Sequence, residues 1–132
     1  MIYREAAIIL PTNAGADAHE YMRNALLNTF GDYTAVPASG GWRDPNGHDV
    51  VEAGSLYIVA VPCVMAVPAE VGGPVQRSTE QDWIGARAAL LHIASRAASL
   101  GRQICVYTRL PPDGNILLVK PSGASLNPDA EA

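Results

Sequence analysis

The sequence predicts an α+β fold: a ferredoxin-like βαββαβ plait, with two helices on one face of an antiparallel sheet and an extra C-terminal hairpin strand. Three observations predict it. Apolar runs and amphipathic periodicities alternate in the order β, α, β, β, α, β. A Gly- and Pro-bearing turn, Gly40-Gly41-Trp42-Arg43-Asp44-Pro45-Asn46-Gly47, falls midway between the two helical patterns, where a split βαβ fold places its central hairpin. A second turn, Pro111-Pro112-Asp113-Gly114, then returns the chain for one more strand. With 132 residues there is enough chain for one core, so residues 1–120 read as a single domain and 121–132 as a disordered acidic tail.

The first strand is the short apolar run Ala6 to Leu10, closed by Pro11. The period then changes: Ala18, Tyr21, Met22, Ala25, Leu26 and Thr29 recur at helical spacing, with His19, Glu20, Arg23 and Asn24 on the other face. Asp17 is the expected cap and Gly31 the expected stop. Tyr33 to Ala38 alternates as a second strand that bends or bulges at Gly40-Gly41, and Pro45-Asn46-Gly47 supplies turn chemistry. The third strand, Asp49 to Pro62, carries an expected bulge at Ala53-Gly54-Ser55, beyond which both of its faces are apolar, as in a central strand.

Cys63 to Arg77 holds neither period and reads as a long loop, a kind of segment that is often functional. Ser78, with Gln81 three residues on, opens the second helix, whose buried stripe is Trp83, Ile84, Leu90, Leu91, Ala94, Ala97 and Ala98 and whose stop is Gly101. Ile104, Val106 and Thr108 alternate with Cys105, Tyr107 and Arg109 as a fourth strand, and Ile116 to Val119 is the fifth. If Tyr57, Val59, Val61, Cys105 and Tyr107 share the sheet face left bare by the helices, that face is too apolar for water and calls for a cover: the loop, a ligand or a twin subunit.

Composition narrows the function classes. Hydrophobic residues are 48% and charged residues 17% of the chain, as in a packed globular domain. A net charge of −4 with nine scattered basic residues excludes general affinity for nucleic acid or anionic lipid, which rests on clustered Lys and Arg. No apolar run reaches the roughly 18 residues of a membrane-spanning helix. Met1-Ile2-Tyr3-Arg4-Glu5 has none of the features of a secretory signal, so a cytoplasmic protein with reduced, buried Cys63 and Cys105 is expected.

No complete catalytic, metal or nucleotide signature is present, and neither a cofactor nor a metal is expected. His19, His48 and His92 are widely spaced, and the two cysteines form no Cys-x-x-Cys pair. Neither glycine pair has phosphate-loop spacing, and no serine sits in a nucleophile elbow. Tyr57 and Tyr107 on strands imitate the stacking aromatics of an RNA-binding plait, but the basic pattern around them is missing. The one dense polar cluster is Trp42, Arg43, Asp44, His48, Asp49 and Glu52. An acid–base pair of His48 with Asp49 or Glu52 is weighed against a solvated hairpin tip, which neighbouring strand residues favour by pointing to opposite faces.

Gly41-Trp42-Arg43-Asp44-Pro45-Asn46-Gly47, followed by acidic Glu52 and an apolar strand, resembles small uncharacterised ferredoxin-like domains of bacterial and of phage or plasmid accessory proteins. The resemblance spans most of the chain, carries no catalytic residues, and implies an accessory role such as inhibition of a host defence protein. The expected function is thus a non-enzymatic interaction protein, homodimeric, that grips a protein partner through Trp42, Arg43, Asp44, His48 and Glu52 and the 63–77 loop. The alternative is a small-ligand-binding protein or cofactor-free enzyme of the dimeric plait type, with Tyr57, Tyr107 or His48 lining its pocket.

Overall fold

The computed structural model describes residues 2–63, 79–103, 105–110 and 115–122. The strands are β1 (Ile2–Pro11), β2 (Thr34–Arg43), β3 (Asp49–Cys63), β4 (Val106–Leu110) and β5 (Asn115–Val119). The helices are α1 (Ala16–Phe30) and α2 (Thr79–Leu100), with a 3-10 turn over Thr12–Ala14. One sheet runs in the order β2-β3-β1-β4-β5, every neighbouring pair antiparallel. This is the expected α+β order, with β1 and β3 inside the sheet and β5 as the added hairpin strand. The expected loop beyond Cys63, the Ser78 cap, Ile104, the 111–114 turn and the tail beyond residue 122 lie outside the described residues.

The helices cover one face. Ala18, Met22 and Leu26 of α1 and Leu90, Ile93, Ala94, Ala97 and Ala98 of α2 are buried against alternate residues of the strands. Those strand residues are Ala6, Ile8 and Leu10 of β1, Tyr57, Val59 and Val61 of β3, Val106 and Leu110 of β4, and Leu117 and Val119 of β5. Burying such aliphatic side chains is worth about 1.5–3 kcal/mol each, which places most of the stability in this layer. Buried Thr108 belongs to the same face and turns its hydroxyl onto the Val106 carbonyl at 3.3 Å.

Several local expectations are corrected. The N-cap of α1 is Gly15, with no side-chain cap, and Asp17 sits in the first turn, where its charge meets the helix dipole instead. Thr29 is exposed. Strand β2 runs unbroken through Gly40-Gly41, paired one-to-one with β3 from Thr34↔Ile58 to Arg43↔Asp49. There is no bulge at Gly54 either: it pairs with Ala38 on one side and Pro11 on the other. Gly54 serves close approach, since a Cβ there would stand 2.7 Å from the Leu10 carbonyl oxygen and 3.1 Å from Pro11 Cα.

The hairpin turn itself follows the sequence reading. Gly47 adopts φ +83, the Asp44 N–H donates to the His48 carbonyl at 2.8 Å, and the Gly47 N–H donates to the Asp44 carbonyl at 2.9 Å.

Candidate ligand-binding site

Because side chains alternate along each strand, the register determines what the helix-free face carries. Ile8 lies opposite Tyr57 and Ala6 opposite Val59, so Tyr57, Val59 and Val61 turn toward the helices. The expected grouping of these residues with Cys105 and Tyr107 is therefore corrected: Tyr107, paired with Ile9 and Leu118, points the other way. Tyr57 and Tyr107 occupy opposite faces and do not meet in one pocket. Tyr57 is only 2% exposed and its hydroxyl lies 2.7 Å from His19 Nδ1. The His19 Nε2–H donates to the Pro11 carbonyl at 2.8 Å, which leaves Nδ1 to accept from the tyrosine. His19, expected on the solvent face of its helix, instead ties α1 to the end of β1 and the middle of β3.

The hairpin tip uses most of its polar groups on itself. Asp44 Oδ1 accepts from the backbone N–H groups of Asn46 at 2.9 Å and His48 at 2.8 Å, an Asx-type turn. Asp44 Oδ2 is 3.6 Å from His48 Nδ1, and Arg43 Nε donates to Asp49 Oδ1 at 2.8 Å. His48 is thereby paired with Asp44 rather than with Asp49 or Glu52. Both partners of the Arg43–Asp49 pair are well exposed, so it shapes the tip more than it stabilises the fold. A shallow groove of about 400 Å³ lies here, between Trp42, Arg43, Asp49 and Val51.

Glu52 leaves this cluster. Two residues from Gly54 and directly across from Gly40, it stands on the helix-free face in a clearing left by glycines and Ala38. Around it opens a concavity of about 820 Å³ lined from all five strands. Ile9, Tyr107 and Leu118 contribute apolar surface, Trp42 and Gly40-Gly41 a wall, and Asn13, Arg102 and Gln103 a polar end. Among the described lining residues Glu52 is the one acid and Arg102 the one base, and neither side chain has an ion-pair or hydrogen-bond partner among the described residues. Aromatic surface plus a few convergent polar groups is the ordinary make-up of a small-molecule site.

Cys105 also lines the concavity. It is half-buried and free rather than a core cysteine, and the Cys63 side chain lies outside the described residues. Burial pushes the Cys105 thiol above its ordinary value, and the Glu52 carboxylate raises it further. The thiol is therefore protonated at neutral pH and unsuited to act as a nucleophile.

Of the sequence-predicted site residues, the structure brings Trp42, Glu52 and Tyr107 to one cavity, keeps Arg43, Asp44 and His48 at the tip beside it, and sends Tyr57 into the core. Asn13, Arg102, Gln103 and Cys105 were not predicted as site residues. They reach the cavity through chain connections at the end of the sheet where β1 stops and β4 begins, and no motif marks them. Among the described residues, no group of three or more His, Cys, Asp or Glu is placed to hold a metal ion. No helix among them is long and apolar enough to cross a membrane.

No family model matches the sequence, and no curated protein matches it. A solved structure of a phage SAM lyase in complex with S-methyl-5′-thioadenosine is similar in fold. The TM-score is 0.52 over 86% of this chain and 84% of that one, at 14% sequence identity. At that identity the likeness is one of fold: the five-stranded antiparallel sheet with two helices is an architecture found in a phage enzyme.

Proposed function

We propose that this chain is a phage-type accessory protein that acts on a small molecule, taking an S-adenosyl nucleoside into the concavity around Glu52 as a cofactor-free lyase. The observation that carries the reading is the unpartnered Glu52 carboxylate in a cavity walled by Trp42 and Tyr107, on a fold similar to that of a phage SAM lyase. Each part suits such a ligand. An adenine ring stacks on an aromatic face, and a sulfonium is drawn to a carboxylate and to the ring quadrupole. Glycines at positions 40, 41 and 54 let the ligand approach the backbone.

The cleavage breaks the bond between the sulfonium and the γ-carbon of S-adenosylmethionine. The electron pair goes to sulfur, giving neutral S-methyl-5′-thioadenosine. The four-carbon fragment balances its charge by closing its own carboxylate onto the vacated carbon, or by giving a neighbouring proton to Glu52. A carboxylate beside the sulfonium orients the substrate in either course. Removal of S-adenosylmethionine, a methyl donor, would serve a phage against its host, in keeping with the accessory role inferred from sequence.

A second reading, a protein interaction through the hairpin, is favoured by the exposure of Trp42 (53%) and Val51 (80%). One experiment separates the two. Titration calorimetry with S-methyl-5′-thioadenosine, together with mass spectrometry of S-adenosylmethionine incubations, is run on wild type, Trp42→Ala and Glu52→Gln, with light scattering for mass. The lyase reading expects binding and thioadenosine release by wild type, binding at least tenfold weaker in Trp42→Ala, and loss of cleavage in Glu52→Gln. An absence of binding and turnover in wild type, with a dimer mass that Trp42→Ala halves, would replace it with the second reading.

A further inference from the structure

Helix α2 ends in a Schellman motif: the Gln103 N–H donates to the Ala98 carbonyl at 2.8 Å and the Arg102 N–H to the Ser99 carbonyl at 3.3 Å. The left-handed position of this motif normally holds glycine. Here it holds Arg102, at φ +52, the one non-glycine residue with positive φ among the described residues. Glycine comes one position earlier, because a Cβ at Gly101 would stand 2.6 Å from the Ala14 Cβ. A long side chain in the left-handed region is strained, since its Cβ crowds the following carbonyl oxygen.

That side chain is the sole cation lining the Glu52 cavity among the described residues, and no described carboxylate neutralises it. Beside it, Gln103 Nε2 donates to Asn13 Oδ1 at 3.2 Å and to the Gly101 carbonyl at 2.9 Å, which holds this polar end in place. The cavity thus has an acid beside its aromatic wall and a base at the end of α2, with apolar surface between them.

We infer that Arg102 is the residue that reads the carboxylate of the ligand's amino-acid end, making the cavity selective for zwitterionic adenosyl amino acids over nucleoside thioethers without a carboxylate. The inference rests on the proposed adenosyl site. A guanidinium pairs with a carboxylate through two parallel N–H donors, which gives orientation as well as attraction. With the carboxylate held at Arg102, the opposite end of the ligand is directed to the aromatic wall and the sulfur lies between, toward Glu52.

S-adenosylhomocysteine and S-methyl-5′-thioadenosine test this, because both are neutral thioethers of the same nucleoside and only the first carries the amino-acid end. Calorimetry with each is run on wild type, Arg102→Gly and Arg102→Lys, alongside thermal unfolding. Arg102→Gly is expected to weaken S-adenosylhomocysteine binding at least tenfold and thioadenosine binding less than twofold. Its melting temperature should not fall, because glycine relaxes the left-handed position. Arg102→Lys is expected to recover part of the lost affinity. Equal losses for both ligands, or no loss for either, would overturn the role of Arg102 while leaving the adenosyl site intact. A wild-type protein that binds neither ligand would overturn the site and this inference together.

Discussion

Glu52 is the residue on which the functional account turns. Sequence alone placed it at the edge of a polar hairpin cluster; the β2–β3 register moves it onto the helix-free face beside glycines and away from Arg43, Asp44 and His48. Its field is legible in Cys105, whose thiol is held above its ordinary value by burial and then by Glu52. The sign follows from the thiolate being the reactive form: removing a negative charge nearby favours the thiolate and lowers the pKa. Glu52→Gln is therefore expected to speed iodoacetamide alkylation of Cys105 at pH 8, read by peptide mass spectrometry so that Cys63 is scored separately. An unchanged rate would mean that the two side chains do not share the cavity as described. Trp42 and Glu52 could be nominated from sequence as members of the one dense polar cluster, and Tyr107 as an aromatic on a strand. Arg102 could not, since a base after a helix stop usually serves the helix dipole.

At the scale of elements, the helices and strands were legible and the faces were not. Periodicity identified α1 and α2 because their apolar residues recur at helical spacing. In β3 both phases of the alternation are apolar, Tyr57, Val59 and Val61 against Leu56, Ile58 and Ala60, so pattern alone cannot say which phase meets the helices. The register with β1 decides it, and that is a long-range fact. Glycines misled in the same way. Gly40-Gly41 and Gly54 suggest a bend and a bulge, yet pairing continues through all three, and the need at Gly54 is for room against β1. Gly54→Ala would press a methyl group into the Leu10 carbonyl, and overpacking of that kind costs about 1–3 kcal/mol. Urea unfolding is expected to show that loss, with the m-value unchanged; a midpoint equal to wild type would mean that β1 yields at no cost. The same substitution narrows the clearing around Glu52, so ligand affinity should fall with stability.

At the scale of the whole molecule, the two sheet faces divide the work. One is sealed by α1 and α2 and supplies the core; the other carries neither helix, with Trp42, Tyr107, Glu52 and Arg102 around a cavity that reaches across the sheet. The βαββαβ plait produces this division without any catalytic motif, because its helices both return to the same side. That is why the architecture could be read from sequence and the candidate site only in part: residues 13, 42, 52, 102 and 107 are brought together only by the folding of the five-stranded sheet. The claim that the helix-free face is the ligand face is tested most directly by titrating isotope-labelled protein with S-methyl-5′-thioadenosine and following the backbone amide resonances. The account predicts shifts at Gly40, Glu52, Gly54 and Tyr107, with Leu26 and Ala94 on the helices unmoved. Shifts confined to the helices or to the hairpin tip, or none at millimolar ligand, would contradict it.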